Sequence, residues 1–476
     1  MKTINPLIQY KRLSIEKKSV IWYTLCNILE KGIAFITIPI ITRMLTTDEY
    51  GVYSVFISWK DIFIIFTTLN LYCGVFTKVL VDRKDDQDAV TSSVQWLGSC
   101  ISLFFLVLYL CFKNPINRLL GFGTETMLLL NAYYFFYPAF SLWCTKQRVN
   151  NKYIMMVVGT LIVSFFTPVV GIALITITNL RERGVIWGYL IVYIAAGVVF
   201  YIINTAKGRK IYDKELWMYC VSYNVPLIPH YLSMIALSQS DRLMIQYFEG
   251  NSKAGIYSLA YQVSSMMNIV FNAINSAFIP RAYGMLKDGA VKKLNAESVK
   301  LIYAAFSLSA FGIVIAPECV MILGGKAYGE AIYVIPAVCF AVFIRYVYGF
   351  FNNYEFYFAE TKKIMIASTL AAIINIVLNW IFIPIAGYFA AGYTTIVGYG
   401  FLYLFHYRLS KNICREYYGV NGFSDKFVIG VLVITLVASA VLPVLYGLPV
   451  LRYLIIAGLI IIGIIKRNDI IKLIRK

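Results

Sequence analysis

The sequence contains little charge. Only 14% of its 476 residues are Asp, Glu, Lys or Arg, whereas about 25% is usual for a soluble domain. Hydrophobic residues make up 60% of the chain, and its mean hydropathy is +0.71. So few polar residues cannot cover the surfaces that a soluble fold of this length would expose. The composition therefore excludes a soluble enzyme and indicates a protein embedded in lipid.

The sequence also lacks motifs for metals, disulfides or catalysis. Its nine cysteines are scattered and include no C-x-x-C pair, so neither a disulfide framework nor a metal site is expected. No catalytic residue and no cofactor are predicted. Acidic residues are scarce too, 24 against 43 Lys and Arg, which gives a net charge of +19. Such an excess is typical of proteins that meet nucleic acid or an anionic membrane surface.

Roughly fourteen stretches are long and apolar enough to cross a membrane, which takes about 20 residues. The chain is therefore predicted to be an all-α, polytopic membrane protein with roughly 14 transmembrane helices. The approximate limits of these spans are 19–41, 52–75, 93–112, 127–145, 154–178, 185–204, 218–238, 254–279, 299–323, 331–351, 363–384, 387–407, 427–446 and 449–465.

The basic residues alternate between the two sides of the membrane. When basic residues at the ends of spans are counted with the adjoining loop, 31 lie on the side of both termini and 9 on the other side. Because cytoplasmic loops are enriched in Lys and Arg, both termini are predicted to be cytoplasmic. Most of the positive charge thus reflects topology, and no nucleic-acid partner is expected.

A short sequence echo indicates two copies of a six-helix unit. The second span begins with GVYSV at residues 51–55, and the eighth begins with GIYSL at residues 255–259. Copies six helices apart have the same orientation, as in transporters built from parallel repeats. The prediction is an N-terminal six-helix lobe at 1–210, a C-terminal six-helix lobe at 211–410 and an additional helix pair at 411–476.

Charged residues lie near the middle of three predicted spans. Glu30 and Lys31 are in the first span, Lys60 and Asp61 in the second, and Arg345 in the tenth. A charge at this depth costs at least about 2.5–3.5 kcal/mol and should face a partner or a water-filled cavity. The eighth span adds a polar stripe at helical spacing, formed by Tyr257, Tyr261, Ser264, Asn268, Asn272 and Asn275. Such residues can line an interior, or they can simply hold helices together by interhelical hydrogen bonds.

Several segments resemble a known family. The first eighty residues contain NILEKG at 27–32, IPIITRML at 38–45 and EYGVYS at 49–54. Further matches are PLIP at 226–229, SDR at 240–242 and GIY at 255–257. These segments are similar to bacterial polysaccharide repeat-unit flippases of O-antigen, capsule and exopolysaccharide pathways. That family belongs to the multidrug/oligosaccharidyl-lipid/polysaccharide exporter superfamily.

The resemblance implies two lobes in a V around a central cavity, and a substrate of oligosaccharide on undecaprenyl diphosphate that moves to the outer leaflet of the cytoplasmic membrane. Fixed cations would lower the barrier for the diphosphate, and the candidates are Lys31, Lys60, Arg345, Arg242 and Arg43. Amides, hydroxyls and rings suit the sugars, and the candidates are Tyr257, Tyr261, Asn268, Asn272 and Asn275. The candidates for carrying a coupling proton or sodium ion are Glu30, Asp61 and Glu318.

Other functions remain open at this point. A multidrug exporter of the same superfamily would favour an acidic cavity for organic cations, and a flippase of the peptidoglycan precursor would differ only in the glycan. A membrane polysaccharide polymerase or ligase would usually carry a sizeable external loop, whereas every predicted external loop is about 15 residues or fewer. The expected partners are the lipid-linked oligosaccharide, membrane lipid, and a polymerase and glycosyltransferases that act on the same repeat unit.

Overall fold

A computed structural model describes residues 14–358 and 360–465, and these residues form helices and short connections without a strand. The α-helices are α1 (Ile15–Met44), α2 (Thr47–Thr68), α3 (Gly74–Asp82), α4 (Gln87–Cys111), α5 (Lys113–Leu120), α6 (Thr124–Val149), α7 (Tyr153–Ile177), α8 (Glu182–Gly208), α9 (Lys214–Asn224), α10 (Ile228–Glu249), α11 (Asn251–Ser265), α12 (Met267–Lys287), α13 (Val291–Val314), α14 (Ala316–Leu323), α15 (Ala331–Tyr357), α16 (Thr361–Ala386), α17 (Phe389–Tyr418), α18 (Asp425–Val441) and α19 (Pro449–Ile465).

The predicted fold class is confirmed: the protein is an all-α, polytopic membrane protein. By length and composition alone, nine of the described helices can cross a membrane, namely α1, α2, α4, α7, α8, α13, α15, α16 and α18. The other predicted spans are also helical, but α6 and α17 are less apolar, α19 is shorter, and the seventh and eighth spans are interrupted. Hydropathy therefore located the segments, while their continuity depends on local chemistry.

Three predicted spans are divided into shorter helices. The seventh is α9 and α10 joined by the 3₁₀ turn Val225–Leu227, and the ninth is α13 and α14 on either side of Ile315. Pro226 lies within the 3₁₀ turn and Pro317 is the second residue of α14, and proline cannot donate the hydrogen bond that would continue the helix. The eighth span divides at Met266 without a proline. By contrast, Pro336 lies inside the uninterrupted α15.

The helices group into two compact units. Within the described residues, the first unit runs to Leu45 and continues over Phe56–Leu232, and the second consists of Thr46–Val55 and the chain from Ser233 onward. The N-terminal part of α2 thus belongs to the second unit. The predicted lobes at 1–210 and 211–410 and the pair at 411–476 describe repeats and remain a prediction.

The first unit is built on close helix contacts and two apolar clusters. In one cluster α3 and α4 pack against the start of α9, with Phe76, Val94 and Leu216 nearly inaccessible. Helices α7 and α8 approach so closely that a Cβ atom on Gly188 would lie 2.4 Å from the Cα atom of Gly171. Small residues permit such contacts in lipid, where close packing has to replace the hydrophobic effect.

The second unit is organised around α15. In its apolar portion 89% of the residues are buried, and α17 packs along much of its length. Gly392 of α17 faces Ala337 of α15, where an added Cβ atom would lie 2.8 Å from the alanine Cβ atom. A helix that is apolar on all sides and surrounded by others is typical of the centre of a helical bundle. Polar residues on α15 are therefore held away from lipid.

The two echoing segments touch each other within the second unit. A Cβ atom on Gly51 would lie 1.8 Å from the carbonyl oxygen of Asn251, and one on Gly255 would lie 2.2 Å from that of Thr47. Gly51 thus packs on Asn251, four positions before Gly255, and Gly255 packs on Thr47, four positions before Gly51. The hydroxyl oxygens of Thr47 and Ser252 are 2.7 Å apart. This reciprocal contact explains why both segments need glycine at the same position.

Candidate functional site

Lys60 lies among tyrosines inside the first unit. Its side chain is only 8% exposed, and its Nζ atom is 2.8 Å from Oδ1 of Asp61. The ammonium also donates a hydrogen bond of 3.1 Å to the hydroxyl of Tyr189. It lies 4.9 Å from the ring centroid of Tyr189 and 5.7 Å from that of Tyr133. An ion pair and two cation–π contacts thus replace the water that a lysine requires at this depth.

The tyrosine cage around Lys60 consists of Tyr72, Tyr133, Tyr137, Tyr189 and Tyr193. Tyr133 and Tyr137 come from α6, and Tyr189 and Tyr193 come from α8. The two residues of each pair are one helical turn apart and therefore share a face of their helix. The ring centroids are 4.8 Å apart in both pairs, and Tyr133 meets Tyr193 edge-on at 6.0 Å. These tyrosines are absent from the sequence-predicted site, although the Y-x-x-x-Y spacing recurs in both helices.

The structure places the remaining first-unit candidates around α1. The Glu30 carboxylate accepts a 3.0 Å hydrogen bond from Ser164, and the cations close enough to act on it are Lys31 and Arg148. Tyr193 of the cage is within electrostatic range of both Glu30 and Lys60. The side chains of Lys31 and Arg43 are exposed. Glu30 therefore lies near the cage, whereas Arg43 occupies the last turn of α1.

Two arginines flank one tyrosine in the second unit. The guanidinium of Arg242 lies 4.5 Å from the ring centroid of Tyr261 and donates a 3.0 Å hydrogen bond to the carbonyl of Ser238. Arg345 lies on the buried α15 and is within electrostatic range of Tyr348, Tyr261 and Tyr399. The structure therefore brings together three sequence-predicted site residues, Arg242, Tyr261 and Arg345.

Asp241 is the centre of a buried hydrogen-bond network in the second unit. Its carboxylate is 1% exposed and accepts hydrogen bonds from Tyr257 at 2.5 Å, Asn379 at 2.7 Å and Thr395 at 2.8 Å. Three donors allow a carboxylate to remain inside the protein. Tyr257, a predicted glycan contact, is itself fully buried and commits its hydroxyl to this network. In this conformation it offers no surface to a sugar.

The predicted glycan stripe is divided by the break at Met266. Tyr257 and Tyr261 lie on α11, whereas Asn268, Asn272 and Asn275 lie on α12. Asn272 is exposed and the other two asparagines are half-buried. Within the described residues none of these three amides forms a side-chain hydrogen bond. They can therefore bind a polar ligand without breaking an existing contact.

Glu318 is held by the last helix. Its carboxylate accepts hydrogen bonds of 2.6 and 3.2 Å from the Arg452 guanidinium and one of 2.9 Å from the Tyr453 hydroxyl. A two-point arginine contact of this kind fixes orientation as well as charge. Glu318 thus links α14 to α19. Across the described part of the chain, no group of three or more His, Cys, Asp and Glu side chains is arranged to hold a metal ion.

Outside the predicted spans, Asp213 connects three segments of the first unit. Its carboxylate accepts a 3.0 Å bond from the backbone N–H of Leu216, which caps α9. It also lies 2.9 Å from the Lys210 ammonium and 3.0 Å from the Arg83 guanidinium. The N–H bond first, and then the two cations, lower the pKa of Asp213 to about 2. The ionised form of this carboxylate thus stabilises the junction of α3, α8 and α9.

Comparison with known protein families assigns the chain to one of them. The family described as polysaccharide biosynthesis protein matches residues 17–283, which is more than half of the sequence. The chain belongs to this family. The resemblance seen in the motifs of the first two spans is therefore confirmed.

Two relatives support the assignment. A protein of the Lsg locus of Haemophilus influenzae is 23% identical over 387 residues, covering 76% of this chain and 90% of the relative. The succinoglycan biosynthesis transport protein ExoT of Rhizobium meliloti is 21% identical over 283 residues, covering 57% of this chain and 54% of that protein.

Solved structures with the same fold are membrane transporters. The inward closed conformation of the lipid II flippase MurJ is similar with a TM-score of 0.67 and 14% identity, over 95% of this chain and all of the other. An inward-facing multidrug resistance transporter of the MATE family has a TM-score of 0.60 and 12% identity, over 81% of this chain and 96% of the other. The relatives and neighbours whose names state a function are transporters or flippases, so this family member is not grouped with enzymes.

Proposed function

We propose that the protein flips an undecaprenyl-diphosphate-linked oligosaccharide from the inner to the outer leaflet of the bacterial cytoplasmic membrane. The flipped repeat unit would enter a surface polysaccharide such as O-antigen, capsule or exopolysaccharide. The observation that carries the proposal is a buried cation among tyrosines in each unit, Lys60 in the first and Arg242 with Arg345 in the second. Membership of the polysaccharide biosynthesis family supports this class of substrate.

The chemistry of the two clusters suits a diphosphate that carries sugars. A phosphate group crossing the hydrocarbon layer needs fixed positive charge. Among the described residues Arg345 forms no ion pair with a carboxylate and is surrounded by tyrosines, so it retains its charge for an anionic ligand, whereas Arg242 also interacts with the neighbouring Asp241 carboxylate. Arginine, as at Arg242, Arg345 and the outer Arg43, can hold a phosphate through two hydrogen bonds, whereas Lys60 and Lys31 would act as point charges.

Carboxylates near Lys60 are the candidates for carrying a coupling ion. Asp61 neutralises Lys60 in the structure, and its side chain is 30% exposed. A phosphate that reaches Lys60 would compete with Asp61, and the released carboxylate could then take up a proton or sodium ion. Glu30 is a second candidate beside the cage. Glu318 is already engaged by Arg452, which favours a packing role for it.

Topology and partners follow from the same proposal. The distribution of 31 and 9 basic residues supports cytoplasmic termini, and transport is proposed to proceed by alternating access. Glycosyltransferases would supply the lipid-linked repeat unit, and a polymerase would use it after flipping. The similarity to MurJ supports a polyprenyl diphosphate without indicating the glycan.

A multidrug exporter is the second candidate, because the MATE transporter has a similar fold. Such a protein would bind organic cations, and buried carboxylates such as Asp241 could attract them. However, Asp241 already accepts three hydrogen bonds, and the deep cations would repel a cationic drug. The charges therefore favour an anionic substrate.

The proposal is tested by expressing variants in a strain that lacks the gene and measuring its surface polysaccharide. Lys31→Ala, Lys60→Ala and Arg345→Ala should each abolish or strongly reduce polysaccharide while protein in the membrane stays at its normal level. Lys326→Ala is the matched control, because it removes an exposed cation from a short turn and should leave polysaccharide unchanged. Normal polysaccharide in all three deep variants would exclude the cationic site.

A further inference from the structure

The second unit contains a carboxylate–imidazole pair that the proposed function leaves unused. Glu355 near the end of α15 is 0% exposed, and His406 of α17 is 1% exposed. The Nδ1 atom of His406 is 2.9 Å from each carboxylate oxygen of Glu355. Burying an ion pair this completely costs solvation free energy. Replacing such a pair by apolar residues of similar volume often leaves a protein at least as stable. Its presence calls for a role beyond packing.

The pair is connected to Arg345 through tyrosine rings. Tyr348 stacks on the imidazole of His406, with centroids 5.3 Å apart and planes within 21°. Tyr348 lies one turn from Arg345 on the same helix, where side chains three positions apart are neighbours, and it is within electrostatic range of the guanidinium. Tyr348 and Glu355 are two turns apart, so they lie on one face of α15. Arg345, Tyr348, His406 and Glu355 thus form a continuous row.

Other charged groups near the pair neutralise one another. Glu360 and Lys363, beside the start of α16, are 3.0 Å apart. On helices that pack against α15, Arg281 of α12 and Glu297 of α13 are 2.7 Å apart, and Lys411 of α17 and Asp425 of α18 are 2.6 Å apart. The charge at this end of α15 is therefore set mainly by Glu355 and His406.

A proton is the ligand that this pair can accept or release. With one proton held between the two groups the pair has no net charge; loss of that proton leaves −1, and gain of another gives +1. Because the site excludes water, a change of one unit of charge acts strongly on nearby groups. The nearest group able to transmit it along the row is Tyr348.

We propose that Glu355 and His406 form a proton-binding site linked through Tyr348 to diphosphate binding at Arg345. This inference rests on the proposed function, because it takes Arg345 as an anchor for the diphosphate. An anion at Arg345 makes the local potential more negative and favours a proton on the pair. Linkage is reciprocal, so a proton on the pair strengthens diphosphate binding.

Proton uptake during ligand binding tests this linkage. Undecaprenyl diphosphate is titrated into the purified full-length protein in weakly buffered detergent between pH 5.5 and 7.5, with a pH indicator present. The wild type should take up a fraction of a proton per lipid bound, and its affinity should rise on acidification by up to about tenfold per pH unit, the limit for one linked proton. Glu355→Gln and His406→Gln should still bind the lipid, but without proton uptake and with little pH dependence.

Two further variants separate a proton site from a structural role. Glu297→Gln removes a half-buried carboxylate from an ion pair, and it should retain the pH dependence of the wild type. Tyr348→Phe keeps the ring that stacks on His406 and removes the hydroxyl dipole within electrostatic range of Arg345, so it should reduce the pH dependence at least several-fold. If the Glu355 or His406 variants fail to fold, Tyr348→Phe decides the test, because it leaves the pair intact.

The possible results distinguish the two proposals. Wild-type binding without proton uptake would overturn the proton site and leave the proposed function standing. Unchanged proton uptake in Glu355→Gln, or unchanged pH dependence in Tyr348→Phe, would also overturn it. A wild type that binds no undecaprenyl diphosphate at any pH would contradict the proposed function, and the linkage would fall with it.

Discussion

Lys60 and Arg345 show two ways in which a charged residue is accommodated within a lipid-embedded helix. Lys60 has a carboxylate 2.8 Å away and two tyrosine rings over its ammonium. Arg345 has tyrosines as neighbours, and rings and hydroxyls solvate a guanidinium without cancelling its charge. Arg345 is therefore the stronger candidate for holding a diphosphate, while Lys60 first has to exchange Asp61 for the ligand.

Asp213 allows a prediction about pH at the residue scale. Its pKa in the folded protein is lowered to about 2, below its ordinary value near 3.9. The carboxylate therefore contributes stability that is fully present above about pH 4 and is lost as the pH falls toward 2. Asp213→Ala, which also removes a helix cap, should lower stability at pH 7 by about 1–2 kcal/mol.

Thermal unfolding in detergent, followed by tryptophan fluorescence, measures this effect. The difference in melting temperature between the wild type and Asp213→Ala should shrink as the pH is lowered from 5 to 3. Asp288→Asn changes an exposed carboxylate at the end of α12 and should behave as the wild type does. A difference that stays constant over this pH range would contradict the account of Asp213.

Charged residues at membrane depth are the part of the candidate site that can be predicted from single positions in the sequence. Glu30, Lys60, Asp61 and Arg345 could be predicted because charge is rare in apolar spans. The tyrosine cage could not be located, since tyrosine is also common at membrane interfaces and in packed cores. Its members converge only when α2, α6 and α8 pack together. The pair of His406 and Glu355 could not be predicted either. The two residues are 51 positions apart and meet only when their helices pack together.

At the scale of helices, hydropathy predicts where the chain crosses the membrane more reliably than whether a helix is continuous. The breaks after α9 and α13 carry prolines, so their approximate positions follow from the sequence. The break at Met266 has no such signal, and the stripe from Tyr257 to Asn275 consequently divides between α11 and α12. Periodicity assumes one straight helix and cannot show this change of direction.

The contact between α2 and α11 gives a prediction for these two elements. Because the Thr47 and Ser252 hydroxyls are 2.7 Å apart, cysteines at both positions should form a disulfide under mild oxidation. Adding Gly51→Ala should reduce the cross-linking yield several-fold, since its Cβ atom would lie 1.8 Å from a backbone oxygen, and overpacking typically costs about 1–3 kcal/mol.

Matched variants make this measurement specific. Gly349→Ala adds a methyl group where no atom lies within 4 Å, so it should leave the yield unchanged. Each single-cysteine variant controls for disulfides with the nine native cysteines. Equal cross-linking with and without Gly51→Ala would show that the close glycine contact is not needed to hold the two helices together.

At the scale of the whole molecule, the net charge of +19 has two components. Most of the excess comes from the 31 basic residues assigned to the side of the termini, a distribution that the positive-inside rule interprets as topology. A smaller number of cations lies deep within the two units, and the proposed function assigns diphosphate binding to these. Composition alone could not separate the two, because a total charge contains no information about depth.

Transport of a defined substrate by the reconstituted protein tests the central claim most directly. Proteoliposomes containing undecaprenyl diphosphate linked to a fluorescent oligosaccharide are mixed with a quencher that cannot cross the membrane, and the accessible fraction is followed over time. The account predicts protein-dependent movement of this lipid between leaflets, lost in Arg345→Ala and retained in Lys326→Ala, and no accumulation of an organic cation. Transport of the cation without movement of the diphosphate lipid would contradict it.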